Sequence, residues 1–150
     1  MREEIFSIQS SVDRIILRIQ TVYGFPNDTF FMGGYDAECG IDILSNSFSA
    51  IGRIYISTAQ FHDFYLSLKQ ANTTLTGSAK ISSYENNFLT EVTFDGLGHV
   101  SVDGYFSKEP GNKLEFHFDT DQTFLGKTLQ ELSKIVEKYG DNFGKKLLHT

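Results

Sequence analysis

Tryptophan is missing altogether, and cysteine occurs once, at Cys39. A single thiol excludes an internal disulfide, so the fold must rest on its core, which suits a reducing compartment. No apolar run approaches the roughly 20 residues that a membrane-spanning helix needs. The N-terminal stretch MREEIFSIQSSVDR has no apolar signal core and no small-residue cleavage site, and the expected location is the cytoplasm. Basic residues are scarce: 13 Lys and Arg stand against 19 Asp and Glu, a formal charge of −6. Phosphate backbones are bound by a basic stripe, so nucleic acid is not the expected partner. Motifs that carry chemistry are missing too. There is no G-x-S-x-G, no Walker loop, no G-x-G-x-x-G and no H-E-x-x-H, and the four histidines lack ligand spacing. Neither an enzyme nor a cofactor is expected.

What is present is phenylalanine, 14 residues of it, with 7 tyrosines, in a chain of 150 residues. That length fits one domain, here 1–150. Aromatics at this density suit strands and a filled core. Alternating apolar residues predict strands at 5–9, 13–23, 37–45, 48–56, 76–84, 87–94, 99–106 and 113–119. Phe61, Phe64, Tyr65 and Leu68 recur at helical spacing behind a cap at Ser57 or Thr58. Leu125, Leu129, Leu132, Val136 and Tyr139 form a second stripe over 123–140, closed by Gly140. The segment GFPNDTFFMGGYD reads as a loop whose Phe30, Phe31 and Met32 tuck into the core. DGLG at 95–98 is a hairpin turn, because Asp-Gly and the second Gly supply positive φ angles. The tail after Gly140 is short and locally basic. The expected class is α+β: a mostly antiparallel meander sheet of about six to eight strands with two helices packed on it.

The acidic run DTDQT at 119–123 joins the last strand to the last helix. Asp and Thr cap helix starts and complement the helix dipole, so Asp119 or Thr120 is the expected cap rather than part of a metal or catalytic site. Glu115, His117 and Asp119 share one strand face, which a solvated surface explains without a metal. Cys39 is expected inward, as a small hydrophobe. The outward positions are more informative. Glu38 and Asp42 project from one strand, and the hairpin register sets Glu91 opposite Asp103. Facing carboxylates repel unless they are solvated or covered by something basic. Tyr55 and Tyr105 fall on the same outward parity, and are core instead if the sheet is covered on both sides.

The stretches YDAECGIDIL, FSAIGRIYIS, STAQFHDFYLSLKQ, FLTEVTFDGLGHVSVDGYF and LEFHFDTDQTFLGKTLQEL resemble bacterial immunity proteins of the WapI-like kind, over roughly 12–140. The resemblance implies a protein that binds the C-terminal domain of a cognate toxin, often a nuclease with a basic cleft, and blocks it. The expected contact set is Glu38, Asp42, Glu91 and Asp103 for toxin cations, with Tyr55 and Tyr105 as aromatic anchors. Two other readings stay open at this point: an apolar-ligand pocket under a curved Phe-rich sheet, and an adaptor or homodimer joined through a sheet face. The oligomeric state is not fixed by the sequence.

Overall fold

The computed structural model describes residues 4–144; most of the basic tail, at 145–150, lies outside them. The order is β1 (Glu4–Gln9), β2 (Arg14–Tyr23), β3 (Asp36–Ser45), β4 (Phe48–Ser57), α1 (Thr58–Thr74), β5 (Thr76–Ser82), β6 (Phe88–Asp95), β7 (His99–Lys108), β8 (Asn112–Asp121) and α2 (Gln122–Tyr139). The class is α+β, as expected. The strands divide into two four-stranded antiparallel sheets, β1-β2-β3-β4 (sheet A) and β5-β6-β7-β8 (sheet B), instead of running on as one. The physical reason is α1. Neighbouring strands of a meander are joined by short turns, whereas 17 helical residues separate β4 from β5.

Each sheet turns its alternate apolar residues inward. In sheet A, Phe6, Leu17 and Ile41 form one cross-strand row, and Ile8, Ile15 and Ile43 the next. In sheet B, Ala79, Val92, Val102 and Phe118 form the central row. All of these side chains are buried. From α1, Phe61, Phe64 and Leu68 join the core, and the Phe6 ring meets Phe61 edge-on at 5.9 Å and Phe64 at 6.0 Å. From α2, Leu125, Leu132, Ile135 and Tyr139 are buried; Ile135 takes the place expected for Val136, which is only half-buried.

The helices also close edges. α1 packs along β5, and α2 along β1. Thr128 Oγ1 donates to the Ser7 carbonyl at 2.5 Å, and Glu131 Oε1 accepts from the Ser7 N–H at 3.0 Å. A strand edge left unpaired would expose such groups; here α2 side chains take them. The two sheets touch at Gly52, where an added Cβ would fall 2.3 Å from Phe106 Cζ.

Helix α1 begins as expected: Ser57 caps it, with Oγ accepting from Ala59 N–H at 3.1 Å. Helix α2 begins two residues later than the Asp119 reading. β8 continues to Asp121, whose Oδ1 accepts from Thr123 N–H at 2.9 Å. Thr120 points inward and its hydroxyl donates to the Gln9 carbonyl at 2.6 Å. That bond ties β8 to sheet A, and the strand persists for two more residues before the chain turns.

Candidate partner-binding surface

The largest departure from the sequence reading lies in the β2–β3 loop. Phe31 is 89% exposed and Met32 50%, and Phe30 is half-buried. The loop backbone is nevertheless fixed. Phe30 N–H donates to the Gly34 carbonyl at 2.7 Å, Gly33 N–H to the Phe30 carbonyl at 2.9 Å, and Gly34 N–H to the Asn142 carbonyl at 2.8 Å. Ser57 Oγ donates to the Gly33 carbonyl, and Thr58 Oγ1 accepts from Tyr35 N–H at 2.7 Å. Gly34 has φ 61°, and a Cβ there would fall 2.4 Å from Thr58 Oγ1, so the close approach needs glycine. The core volume next to the loop is taken by Tyr35 and by Phe25, which stacks edge-on against Tyr35 at 5.2 Å and Tyr139 at 4.9 Å. Phe31 and Met32 have no interior place left and face outward.

These side chains continue into an aromatic band. Phe31 meets Phe30 at 4.7 Å, Phe30 meets Tyr84 at 5.4 Å, and Tyr84 meets Tyr55 at 6.4 Å. Tyr84 belongs to the β5–β6 turn. Its hydroxyl donates to Asp36 Oδ1 at 2.9 Å, and its N–H to the Tyr55 carbonyl at 3.3 Å. Burial, then the bond to Asp36, pushes the Tyr84 phenol well up, so it stays protonated and keeps donating. Tyr23, 47% exposed, donates to Glu38 Oε1 at 3.0 Å.

The six residues singled out from the sequence fall in two groups. Glu38, Asp42 and Tyr55 lie on the outer face of sheet A, with Glu38 and Tyr55 directly opposite each other. Arginines meet both carboxylates there: Arg53 Nε reaches Glu38 Oε2 at 2.9 Å, and Arg14 lies 3.9 Å from Asp42. Glu91, Asp103 and Tyr105 lie on the outer face of sheet B. Glu91 does stand opposite Asp103, and its other neighbour is Lys80. Asp103 Oδ1 contacts His117 Nδ1 at 2.5 Å. Asp119 Oδ1 lies between His117 Nε2 at 3.5 Å and His99 Nε2 at 3.3 Å. The bond to Asp103 raises the His117 pKa, because it favours the charged ring, against a smaller opposing effect of burial. Tyr105 donates to the Asn86 carbonyl at 3.2 Å and carries Lys113 Nζ 4.6 Å above its ring.

Catalytic geometry is harder to find. Cys39 is fully buried, and burial pushes its thiol up to about 12, so it is not a thiolate nucleophile. Among the described residues, no group of three or more His, Cys, Asp and Glu side chains is placed to hold a metal ion. None of the described helices is long and apolar enough to cross a membrane.

A family model described as the immunity protein WapI-like family matches residues 5–140. The chain belongs to that family. The match runs from β1 to the residue after α2, so it takes in every strand and helix of the fold. It starts earlier than the resemblance at 12–140 and takes in β1, which pairs along its whole length with β2. No curated protein and no solved structure matches. For a WapI-like immunity protein the relevant surface is one that meets another protein, and the described fold offers an aromatic band and an acidic sheet face.

Proposed function

We propose that this protein neutralises a cognate toxin by binding it and covering its working surface, without catalysis of its own. Family membership supports the toxin-neutralising role. The observation that carries the interface is the pinned loop: Phe31 and Met32 stand in solvent on a backbone already held by hydrogen bonds. An apolar side chain ordered before binding loses little entropy on docking, and aromatic anchors inside a polar rim dominate the energy of tight interfaces. Phe31, Tyr84 and Tyr55 are those anchors, and Glu38 beside Tyr55 supplies the rim, with Asp42 further along the same strand. Glu91 and Asp103, with Tyr105 at their border, act at longer range. They belong to an acidic face that attracts a toxin with a basic cleft, as a nuclease would have, and speeds encounter.

The test is rescue. The toxin-like region encoded next to this gene is expressed alone and with this protein, and surviving cells are counted. Rescue is the expected result. Phe31→Ala, at an exposed position, leaves folding intact and weakens toxin binding by tenfold or more in calorimetry, since truncating an interface anchor costs about 2 kcal/mol. Absence of rescue by the wild-type chain would sink the reading, and full affinity in Phe31→Ala would move the interface elsewhere.

A further inference from the structure

The outer edge of β1 is closed by α2, and α1 packs along β5. The outer edges of β4 and β8 have neither a described strand paired with them nor a helix packed along them, and the edge of β4 is the one that opens on a cleft. We propose that this edge is a docking groove for one extended, acidic segment of the protein partner, which adds to sheet A beside β4. That the partner is a toxin rests on the reading above; the chemistry of the groove does not.

The hydrogen-bonding groups are aimed correctly. Thr58 N–H donates to the Tyr35 carbonyl of the β3 side at 2.8 Å, whereas the Tyr55 carbonyl accepts from Tyr84, on the opposite side. Backbone groups alternate sides along a strand, so the N–H and C=O of Ile51 and Arg53 also turn away from β3. They face a cleft of about 510 Å³ whose other wall is Phe106, Ser107, Lys108 and Glu109. It continues into a second cleft of about 310 Å³ beside Ser49, Asn112 and Leu114, with Ile51, Phe106 and Lys108 lining both. A second wall admits a single strand more readily than the whole sheet of another copy.

Side chains indicate what that strand carries. Natural edges are blunted with charge or proline, yet Ile51 is 74% exposed and Phe48 65%. Around Ile51 stand Lys108 and Lys113 against Glu109, while Arg53 at the same edge is already paired with Glu38. In a chain of charge −6 this is a local basic rim. It suits a segment that alternates apolar and acidic residues, and it opposes pairing with the same basic edge of a second copy.

Fluorescence polarisation of the full chain with a labelled nine-residue peptide of alternating valine and glutamate tests the groove. Two controls replace glutamate by lysine or methylate alternate backbone nitrogens. The acidic peptide is expected to bind, with both controls at least tenfold weaker. Ile51→Pro removes one groove-facing N–H that β3 does not use, and edge positions tolerate proline; it should weaken binding tenfold or more. Ile51→Glu, which repels the acidic probe without touching the backbone, gives the same loss should Ile51→Pro fail to fold. No binding, equal binding of all three peptides, or no loss in a folded variant overturns the proposal. So does a concentration-dependent dimer that Ile51→Glu dissolves, which gives the edge to a second copy. Peptide binding that appears only after residues 145–150 are deleted gives the edge to the chain's own tail and also overturns it. A chain that rescues cells but fails the peptide arm loses the groove and keeps the toxin reading; one that binds the acidic peptide but rescues nothing keeps the groove alone.

Discussion

The two sheets alternate in the same way and pair in the same way, but their outer faces carry charge differently. On sheet A each of the two singled-out carboxylates has an arginine: Glu38 with Arg53 and Asp42 with Arg14. Neither of these two pairs contains a histidine. On sheet B the partners of Asp103 and Asp119 are His117 and His99. The bond to Asp103 raises the His117 pKa, so the charge of this face depends on pH. The difference separates two jobs that the sequence assigned to one acidic surface. On the proposed function, a face whose carboxylates are locally paired leaves recognition to the aromatics around Tyr55. On the same proposal, the face with unpaired carboxylate and His117 acts in attraction at a distance.

The inward sides differ as well, and substitutions there should give the largest effects. Sheet A is joined to α1 through Phe6, fully buried between Phe61 and Phe64. Phe6→Ala leaves a cavity at that joint and should cost about 3–5 kcal/mol in urea unfolding. A loss under 1 kcal/mol would mean that sheet A does not depend on the helix. Gly52→Val acts between the sheets. Its side chain would overlap the Phe106 ring, since even a Cβ falls 2.3 Å from it. Overpacking of this kind costs roughly 1–3 kcal/mol, and calorimetric melting should show it. Trimming the ring in Gly52→Val/Phe106→Leu should restore part of the loss, which a merely local effect of valine on β4 would not allow.

Much of this comparison was legible in the residues. The period-two pattern gave the strands, and DGLG gave a register good enough to place Glu91 opposite Asp103. Glu38, Asp42, Tyr55 and Tyr105 also stand on the faces that their parity predicts. What stayed hidden depends on contacts between elements distant in sequence. Nothing local says that Tyr35, Phe25 and Tyr139 fill the volume that Phe31 and Met32 would otherwise take. The Gly33-Gly34 pair after them is the one available signal, because two positive φ angles demand a tight, backbone-bonded loop. Likewise Thr120 reads as a cap until its bond to Gln9, 111 residues away, is seen. The arginines that meet Glu38 and Asp42 come from β4 and β2, and their pairing needs the three-strand register.

A smaller effect sharpens the contrast on sheet A. Arg53→Met removes the partner of Glu38 while keeping an apolar stem. The arginine side chain is 63% exposed, so stability should fall by under about 1 kcal/mol. The loss should be the same at pH 6 and pH 8.5, because the pair contains no histidine. A slope with pH in this variant, measured against wild type by urea unfolding, would break the distinction between the two faces.

The smallest stability effect is the most diagnostic. His117 has a raised pKa because its ring bonds to Asp103. A group whose folded value lies above its unfolded value, about 6.5 for histidine, stabilises the fold fully below that pH. The contribution is lost as pH rises through the raised folded value. The ring is exposed, so the amount is a few tenths of a kcal/mol after solvent screening. Wild type should therefore lose slightly more stability than His117→Gln on going from pH 6 to pH 8.5. The same proton has a second consequence of opposite sign. When His117 becomes neutral, the outer face of sheet B gains net negative charge around Asp103 and Asp119. Association with a basic partner then speeds up while the free protein becomes marginally less stable. Stopped-flow association at low salt should be faster at pH 8.5 than at pH 6 for wild type, with a smaller pH dependence for His117→Gln. Equal pH dependence in both proteins would show that sheet B does not steer the encounter, and the acidic face would lose its part in the mechanism.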